Sequence, residues 1–72
     1  MTQPDTIQVR INGEPRRVKA GSSIAALVVD IGLDPARVAV ERNLEIVPRS
    51  TLDEVAVADG DAFEIVHFVG GG

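Results

Sequence analysis

The chain contains no cysteine, tryptophan or tyrosine, and only two of its 72 residues are aromatic. Without cysteine it forms no disulfide, thiolate metal site or cysteine nucleophile, and nothing opposes a reducing cytosol as its habitat. The core must be built from small aliphatic side chains, and a chain this short buries only about 60% of its unfolded surface. We therefore expect one domain over residues 1–72, with no room for an enzyme-sized cleft.

The given residues do not resemble a targeting segment or a membrane span. The first five residues are polar, and no basic segment leads into an apolar stretch as in a secretory signal. No apolar run approaches the length that a membrane-spanning helix needs. We expect a soluble, cytoplasmic protein that does not bind membranes.

Lys and Arg are absent from the chain after Arg49, which leaves nearly all of its last third without them. All seven Lys and Arg lie at or before Arg49, and five acidic residues follow it: Asp53, Glu54, Asp59, Asp61 and Glu64. This field opposes phosphate backbones and favours docking onto a basic protein surface. We expect no nucleic-acid partner, although each carboxylate alone is also explained as part of a solvated face.

The first third of the chain predicts a hairpin. Asn12-Gly13 is a strong turn signal because both residues tolerate positive φ. The strand before it alternates apolar and polar residues, and the strand after it, over residues 16–20, is polar enough to lie near a sheet edge. The alternating apolar residues are Ile7, Val9 and Ile11.

A helix follows this hairpin. A hydroxyl of Ser22 or Ser23 can cap its first turn, and Gly32 ends it. The apolar residues between them recur at helical spacing and predict one buried face. They are Ile24, Leu27, Val28 and Ile31.

The second half predicts three more strands. Residues 38–41 and 45–47 form a hairpin around Asn43-Leu44, and residues 62–69 form a β-favouring, central strand after the turn at Asp59-Gly60-Asp61. The segment between the last two strands has weak periodicity and favours at most a helical turn. The order predicts an α+β fold, a mixed sheet of four to five strands packed on one helix.

The last strand leads into Gly70, Gly71 and Gly72. Three glycines make a slim tether whose carboxylate can enter a narrow passage. Glycines at a terminus are also often just a disordered end. The tail is therefore the first candidate for function, although composition alone leaves both readings open.

Two stretches of sequence carry a resemblance to a known family. Asn43-Leu44-Glu45-Ile46-Val47-Pro48-Arg49 and the end of the chain, Phe63-Glu64-Ile65-Val66-His67-Phe68-Val69-Gly70-Gly71-Gly72, resemble the ThiS sulfur carriers of thiamin biosynthesis. The resemblance covers nearly the whole chain. One position departs from the commonest pattern, because Leu44 stands where a glycine usually follows the asparagine.

This resemblance implies a ubiquitin-like β-grasp fold and a carrier that is a co-substrate of enzymes, with no catalytic residue, metal or cofactor of its own. Gly72 would be adenylated by an ATP-dependent enzyme and converted to a thiocarboxylate, and Gly70 and Gly71 would thread the partner sites. The implied partners are this adenylating enzyme, thiazole synthase and a sulfur donor such as a cysteine desulfurase.

Two alternatives remain open. The small subunit of molybdopterin synthase is similar in fold, size and diglycine end, but it often has a proline pair where this chain has His67-Phe68-Val69. A β-grasp binding module with an inert tail, for example one that contacts RNA, is a different class of protein. The acidic last third weighs against RNA binding.

The alternation of side chains along a strand assigns the residues beside the tail to the two faces of the sheet. Phe63 and Ile65 share one face of the last strand and are expected in the core, whereas Val66 and Phe68 point to the other face. Exposed apolar residues next to a reactive terminus predict a partner docking patch, although a covering loop is an equal alternative. His67, the single histidine, is expected to be an ordinary strand residue.

Overall fold

The computed structural model describes residues 5–68, and the elements along this part of the chain follow the predicted order. The five strands are β1 Thr6–Ile11, β2 Glu14–Lys19, β3 Val38–Arg42, β4 Glu45–Val47 and β5 Ala62–His67. One α-helix, α1, spans Ile24–Asp30, and two short 3-10 helices span Pro35–Arg37 and Arg49–Thr51.

The strands form one mixed sheet in the order β2-β1-β5-β3-β4. The pair β1–β5 is parallel, and the other three pairs are antiparallel. The last strand therefore lies beside the first, in the centre of the sheet, and the polar β2 lies at an edge, as the sequence predicts.

The first hairpin turns where its dipeptide predicts. Asn12 and Gly13 have φ of 51° and 88°, the left-handed values that the tight turn requires. The strand β2 begins at Glu14, two residues earlier than expected, because the turn is so short that pairing starts at once with Ile11 opposite Glu14. Ala20 lies outside the strand.

The helix begins after Ser23, whose hydroxyl accepts a hydrogen bond from the Ala26 amide at 3.0 Å. Its buried residues are Ile24, Leu27 and Val28. The chain leaves the helix at Gly32, with φ of 88°. The predicted cap, stripe and stop are confirmed, except that Ile31 is only half-buried.

The segment between β4 and β5 closes the core. It contains the 3-10 helix Arg49–Thr51 and buries Leu52 and Val57 against the helix side of the sheet. Its backbone is tied to the start of α1, because the Ile24 amide donates to the carbonyl of Val55 at 2.9 Å. The apolar residues of this segment show only weak periodicity in the sequence, because the segment is irregular and is held by tertiary contacts.

The core lies between the helix and one face of the sheet. It is aliphatic apart from Phe63, and its members are Val9, Ile11, Val18, Ile24, Leu27, Val28, Val38, Val40, Leu52, Val57, Phe63 and Ile65. The opposite face of the sheet is not covered by the helix. We call this side the outer face, and its residues on β3, β4 and β5 are Ala39, Glu41, Ile46, Ala62, Glu64 and Val66, followed by Phe68 just beyond β5.

Candidate functional site

The predicted sulfur-carrying residue Gly72, and Gly70 and Gly71 before it, lie outside the described residues. The described chain ends at Phe68, one residue after β5. What the structure establishes is therefore how this strand is held and which surface it presents beside the tail.

The strand β5 is clamped on its β1 side by a side chain as well as by backbone. The Asn12 Nδ2 donates to the carbonyl of Ile65 at 3.1 Å, and the Ile65 amide donates to Asn12 Oδ1 at 2.8 Å. One asparagine amide thus imitates a strand residue beyond the end of β1 and extends the parallel pairing toward the tail.

A second asparagine holds the beginning of β5 from the other hairpin. The amide of Ala62 donates to Asn43 Oδ1 at 3.0 Å, and Asn43 Nδ2 donates to Asp61 Oδ1 at 3.0 Å. Asp61 is buried and also accepts from the Ala58 amide at 2.9 Å, with Arg42 at 3.8 Å. Both turn asparagines therefore fix the position of the strand that carries the tail.

The faces of β5 are those predicted from alternation. Phe63 and Ile65 are buried, whereas Val66 and Phe68 are 57% and 50% exposed. The described loops do not cover these two residues, and the amide of Phe68 donates to the carbonyl of Arg37 at 2.8 Å, which orders the backbone at the end of the sheet. Their accessibility is established, while a docking role remains a prediction.

Two exposed apolar residues on the β3–β4 hairpin were not predicted. Leu44 is 89% exposed at the turn, with φ of 72°, and Ile46 is 80% exposed on the outer face. Alternation over the three residues of β4 is too short a signal to assign a face, so only the sheet register places Ile46 opposite Glu41.

The structure gives no binding role to the other polar residues that the sequence analysis considered. His67 is half-buried at the end of β5, and no group of three metal-ligating side chains occurs within residues 5–68. Arg16 on the edge strand pairs with Asp30 of the helix at 3.2 Å. Within the described part of the chain, no helix is long and apolar enough to cross a membrane.

The fold is shared with solved structures. The crystal structure of the thiamine biosynthesis protein ThiS from Geobacter metallireducens matches with a TM-score of 0.75 and 32% identity, over 92% of this chain and 100% of that one. A designed protein based on human ubiquitin matches with a TM-score of 0.54 at 15% identity, over 96% of this chain and 98% of that one. The class of protein is therefore the ubiquitin-like β-grasp domain with one helix and a five-stranded mixed sheet.

Sequence relatives narrow this class. The sequence model of the ThiS family matches residues 9–72. The sulfur carrier protein ThiS of Bacillus subtilis is 40% identical over 65 residues, which cover 89% of this chain and 98% of that protein. The chain belongs to the ThiS family, as its resemblance in sequence predicts.

Two further relatives are longer proteins. A thiazole synthase of Paramagnetospirillum magneticum is 56% identical over 62 residues, which are 86% of this chain but 19% of that protein. A thiazole synthase of Magnetococcus marinus is 41% identical over 92% of this chain and 20% of its own length. The chain thus spans about a fifth of the length of these two relatives.

Proposed function

We propose that this chain is a sulfur carrier of thiamine biosynthesis, a single domain over residues 1–72 whose Gly72 carboxylate carries sulfur as a thiocarboxylate. The observation that carries the proposal is membership of the ThiS family across residues 9–72, including the glycine tail. The chain acts in the cytoplasm as a co-substrate of enzymes and not as an enzyme.

Activation of the carboxylate comes first. A carboxylate is a poor electrophile, and attack of its oxygen on the α-phosphorus of ATP gives an acyl adenylate and releases pyrophosphate. The terminal sulfur of a persulfide then attacks the acyl carbon, and AMP leaves with the bonding pair. A further thiol reduces the resulting acyl disulfide and releases the thiocarboxylate of Gly72.

The role of this chain in that chemistry is to position the C-terminal tail for the partner enzymes. The strand β5 is central and is held by the side chains of Asn12 and Asn43, so the residues that precede the tail would already be ordered. Gly70 and Gly71 could then enter a partner without the entropic cost of ordering the strand. Val66 and Phe68, exposed beside the tail, would dock the partner. An adenylating enzyme and a sulfur donor such as a cysteine desulfurase would load the carrier.

Thiazole synthase is the proposed acceptor of the sulfur. The support is that two relatives bearing that name contain a stretch similar to this chain within one longer protein. Joining two proteins in one chain raises their effective concentration and is useful where they act on each other.

Adenylation of variants of the tail tests the proposal. Deleting Gly72, or adding one alanine after it, should abolish formation of the AMP adduct by the cognate adenylating enzyme, because the electrophilic carbonyl is then misplaced. Folding should not change, since β5 ends at His67. Normal adduct formation by either variant would contradict the mechanism.

Intact-mass analysis of the protein from its native host gives an independent check. The expected result is a fraction of the protein with one sulfur-for-oxygen exchange localised to Gly72. A chain that continues past Gly72 would contradict a free carboxylate, and a single unmodified mass under conditions of thiamine synthesis would favour a binding module with an inert tail.

A further inference from the structure

The chain has two asparagines, and each lies in the turn of a hairpin. Asn12 precedes Gly13 and Asn43 precedes Leu44, and the two asparagines have nearly the same left-handed φ, 51° and 52°. Both are exposed, and both hold β5 through the side-chain amide. The two hairpins therefore present the same residue in the same setting with a different residue after it.

The residue after an asparagine decides whether the side chain can react with the backbone. The backbone nitrogen of that next residue can attack the side-chain Cγ and close a five-membered succinimide ring. The attacking nitrogen gives up its proton, the bond from Cγ to the side-chain nitrogen breaks, and ammonia leaves. Glycine permits this attack because it has no Cβ and a freely adjustable backbone, whereas a leucine side chain hinders it. Asn12 is therefore the vulnerable asparagine of the two.

Water then opens the ring at one of its two carbonyl carbons. Opening at the former side-chain carbonyl gives aspartate, and opening at the backbone carbonyl gives isoaspartate, in which the main chain runs through the side-chain carbon. Either product has exchanged an NH2 group for OH and carries a carboxylate. Asparagine counts among the thermolabile residues of proteins.

In the folded protein, two hydrogen bonds fix the amide group of Asn12. Its Nδ2 donates to the carbonyl of Ile65 at 3.1 Å, and its Oδ1 accepts from the Ile65 amide at 2.8 Å. The side chain must rotate to bring Cγ to the nitrogen of Gly13, and this rotation breaks both bonds. Two ordinary hydrogen bonds favour the fixed conformation by about tenfold or more. Folding should therefore slow the reaction, and loosening of the end of β5 should speed it.

Conversion of Asn12 would in turn release the end of β5. The register of β1 and β5 ends with Ile11 opposite Phe63, and the side chain of Asn12 carries the pairing on to Ile65. A carboxylate accepts hydrogen bonds but does not donate them, so one of its oxygens would face the carbonyl oxygen of Ile65. Isoaspartate also adds a carbon to the backbone of a two-residue turn and changes the geometry of the hairpin.

We propose that Asn12 is a site of deamidation through a succinimide formed with Gly13, that its hydrogen bonds to Ile65 control the rate, and that the conversion loosens the strand leading to the tail. The modification needs water and no enzyme. Its consequence for sulfur transfer rests on the proposed function, because a loosened strand must be ordered again in each partner. An aged carrier would thus be a poorer substrate than a newly made one.

The second hairpin provides an internal comparison. Asn43 Oδ1 accepts from the Ala62 amide and Asn43 Nδ2 donates to Asp61, each at 3.0 Å, so its amide group is fixed as firmly as that of Asn12. Leu44 follows it with φ of 72°, a conformation that favours glycine. The leucine shields Asn43 from attack and leaves the backbone strained, whereas Leu44→Gly would relieve the strain and expose Asn43 to the same reaction.

Incubation of the full-length chain tests the chemistry without any partner. The wild type is kept at mildly alkaline pH, which helps the attacking nitrogen to lose its proton, both folded in buffer and unfolded in urea. Peptide mapping by mass spectrometry locates the exchange of NH2 for OH and separates isoaspartate from aspartate. Gly13→Ala is the variant that should block the reaction at Asn12, and Leu44→Gly is the matched variant that should open a second site at Asn43. In urea, neither comparison depends on whether the variant folds.

The wild type in urea should convert Asn12 to a mixture of isoaspartate and aspartate while Asn43 stays intact. The folded wild type should convert Asn12 about tenfold or more slowly, because both hydrogen bonds must first open. Aspartate without isoaspartate would exclude the ring, and equal conversion of Asn12 and Asn43 would show that Gly13 has no special part. Equal rates in the folded and the unfolded chain would show that the bonds to Ile65 do not control the reaction. Each of these results would overturn the inference.

The converted protein, separated by ion exchange, tests the effect on the strand. Its Ile65 amide should exchange with solvent faster than in the wild type, and Asn12→Asp is the reference for the aspartyl product. Adenylation by the cognate enzyme should show a raised KM with little change in kcat. Unchanged exchange at Ile65 together with an unchanged KM would overturn the link to the tail. If the unmodified wild type is not adenylated at all, the proposed function fails, whereas the site at Asn12 is still decided by the masses alone.

Discussion

At the residue scale, a substitution of Phe68 can distinguish a role in partner docking from a role in folding. It is half-exposed beside the tail, whereas Phe63 on the opposite face of β5 is 2% exposed. If Phe68 anchors a partner, Phe68→Ala should weaken binding to the adenylating enzyme by about 2 kcal/mol or more, roughly thirtyfold. The free energy of unfolding should change by only about 0.5 kcal/mol.

Val29→Ala is the matched control for Phe68→Ala, since Val29 is 61% exposed on the helix and away from the outer face. Binding by isothermal titration and unfolding by heat would be measured for both variants. A large fall in melting temperature with normal binding would place Phe68 among the structural residues and leave the docking patch without its aromatic anchor.

Leu44 carries backbone strain. Its φ of 72° is a left-handed value that costs a side-chain-bearing residue about 1–2 kcal/mol, against about 0.5–1 kcal/mol for the extra freedom that a glycine loses on folding. Leu44→Gly should therefore raise the free energy of unfolding by about 0.5–1 kcal/mol. Denaturant titration measures it.

The first hairpin offers the reverse substitution. Gly13 has φ of 88° at the second turn position, and a Cβ there would meet nothing within 4 Å. Gly13→Leu should therefore destabilise by about 0.5–1 kcal/mol, because the strain of about 1–2 kcal/mol exceeds the roughly 0.5–1 kcal/mol of chain freedom that the glycine loses on folding. Opposite signs for the two substitutions are expected, and a loss of stability in Leu44→Gly would mean that the exposed leucine makes contacts that outweigh its strain.

At the scale of elements, β5 is held by pairing with two strands and by the two turn asparagines. Asn12→Ala would remove both hydrogen bonds to Ile65 and leave its amide and carbonyl short of partners. The expected loss is about 1–2 kcal/mol of unfolding free energy, with faster hydrogen exchange at the Ile65 amide.

Asn12→Asp removes only one of the two hydrogen bonds between the Asn12 side chain and Ile65. An aspartate tolerates the left-handed turn and can still accept from the Ile65 amide, but it cannot donate to the Ile65 carbonyl. It should therefore protect the Ile65 amide better than alanine does. Equal exchange rates in wild type and Asn12→Ala would show that backbone pairing alone positions β5.

At the scale of the whole molecule, the pathway can be tested in a cell. Family membership favours thiamine biosynthesis, so the chain should restore thiamine-independent growth to a host that lacks its own thiazole sulfur carrier. The variant without Gly72 should not, although it should be present at a similar level. Rescue of molybdoenzyme activity alone would favour the molybdopterin branch.

Local signals were enough to predict most elements. The pair Asn12-Gly13 specifies a turn by its φ preferences, Ser23 and Gly32 bound the helix, and β-favouring residues from Ala62 onward predict the last strand. These signals depend on neighbours a few residues away. The ends of strands were predicted less accurately, as for the start of β2 at Glu14 and the end of β3 at Arg42. Pairing with another strand sets where a strand begins and ends.

By itself, the sequence determined the element order, the buried faces of the helix and of β5, and the resemblance to the ThiS family. Only the tertiary structure decided which distant residues meet. Glu41 and Glu64 are 23 positions apart and become opposite each other through the β3–β5 register. Likewise, Asn12 reaches Ile65, 53 positions away, because β1 and β5 pair in parallel. Periodicity reports the face of a residue within its own element, whereas the choice of neighbouring strand comes from burying all apolar faces in one core.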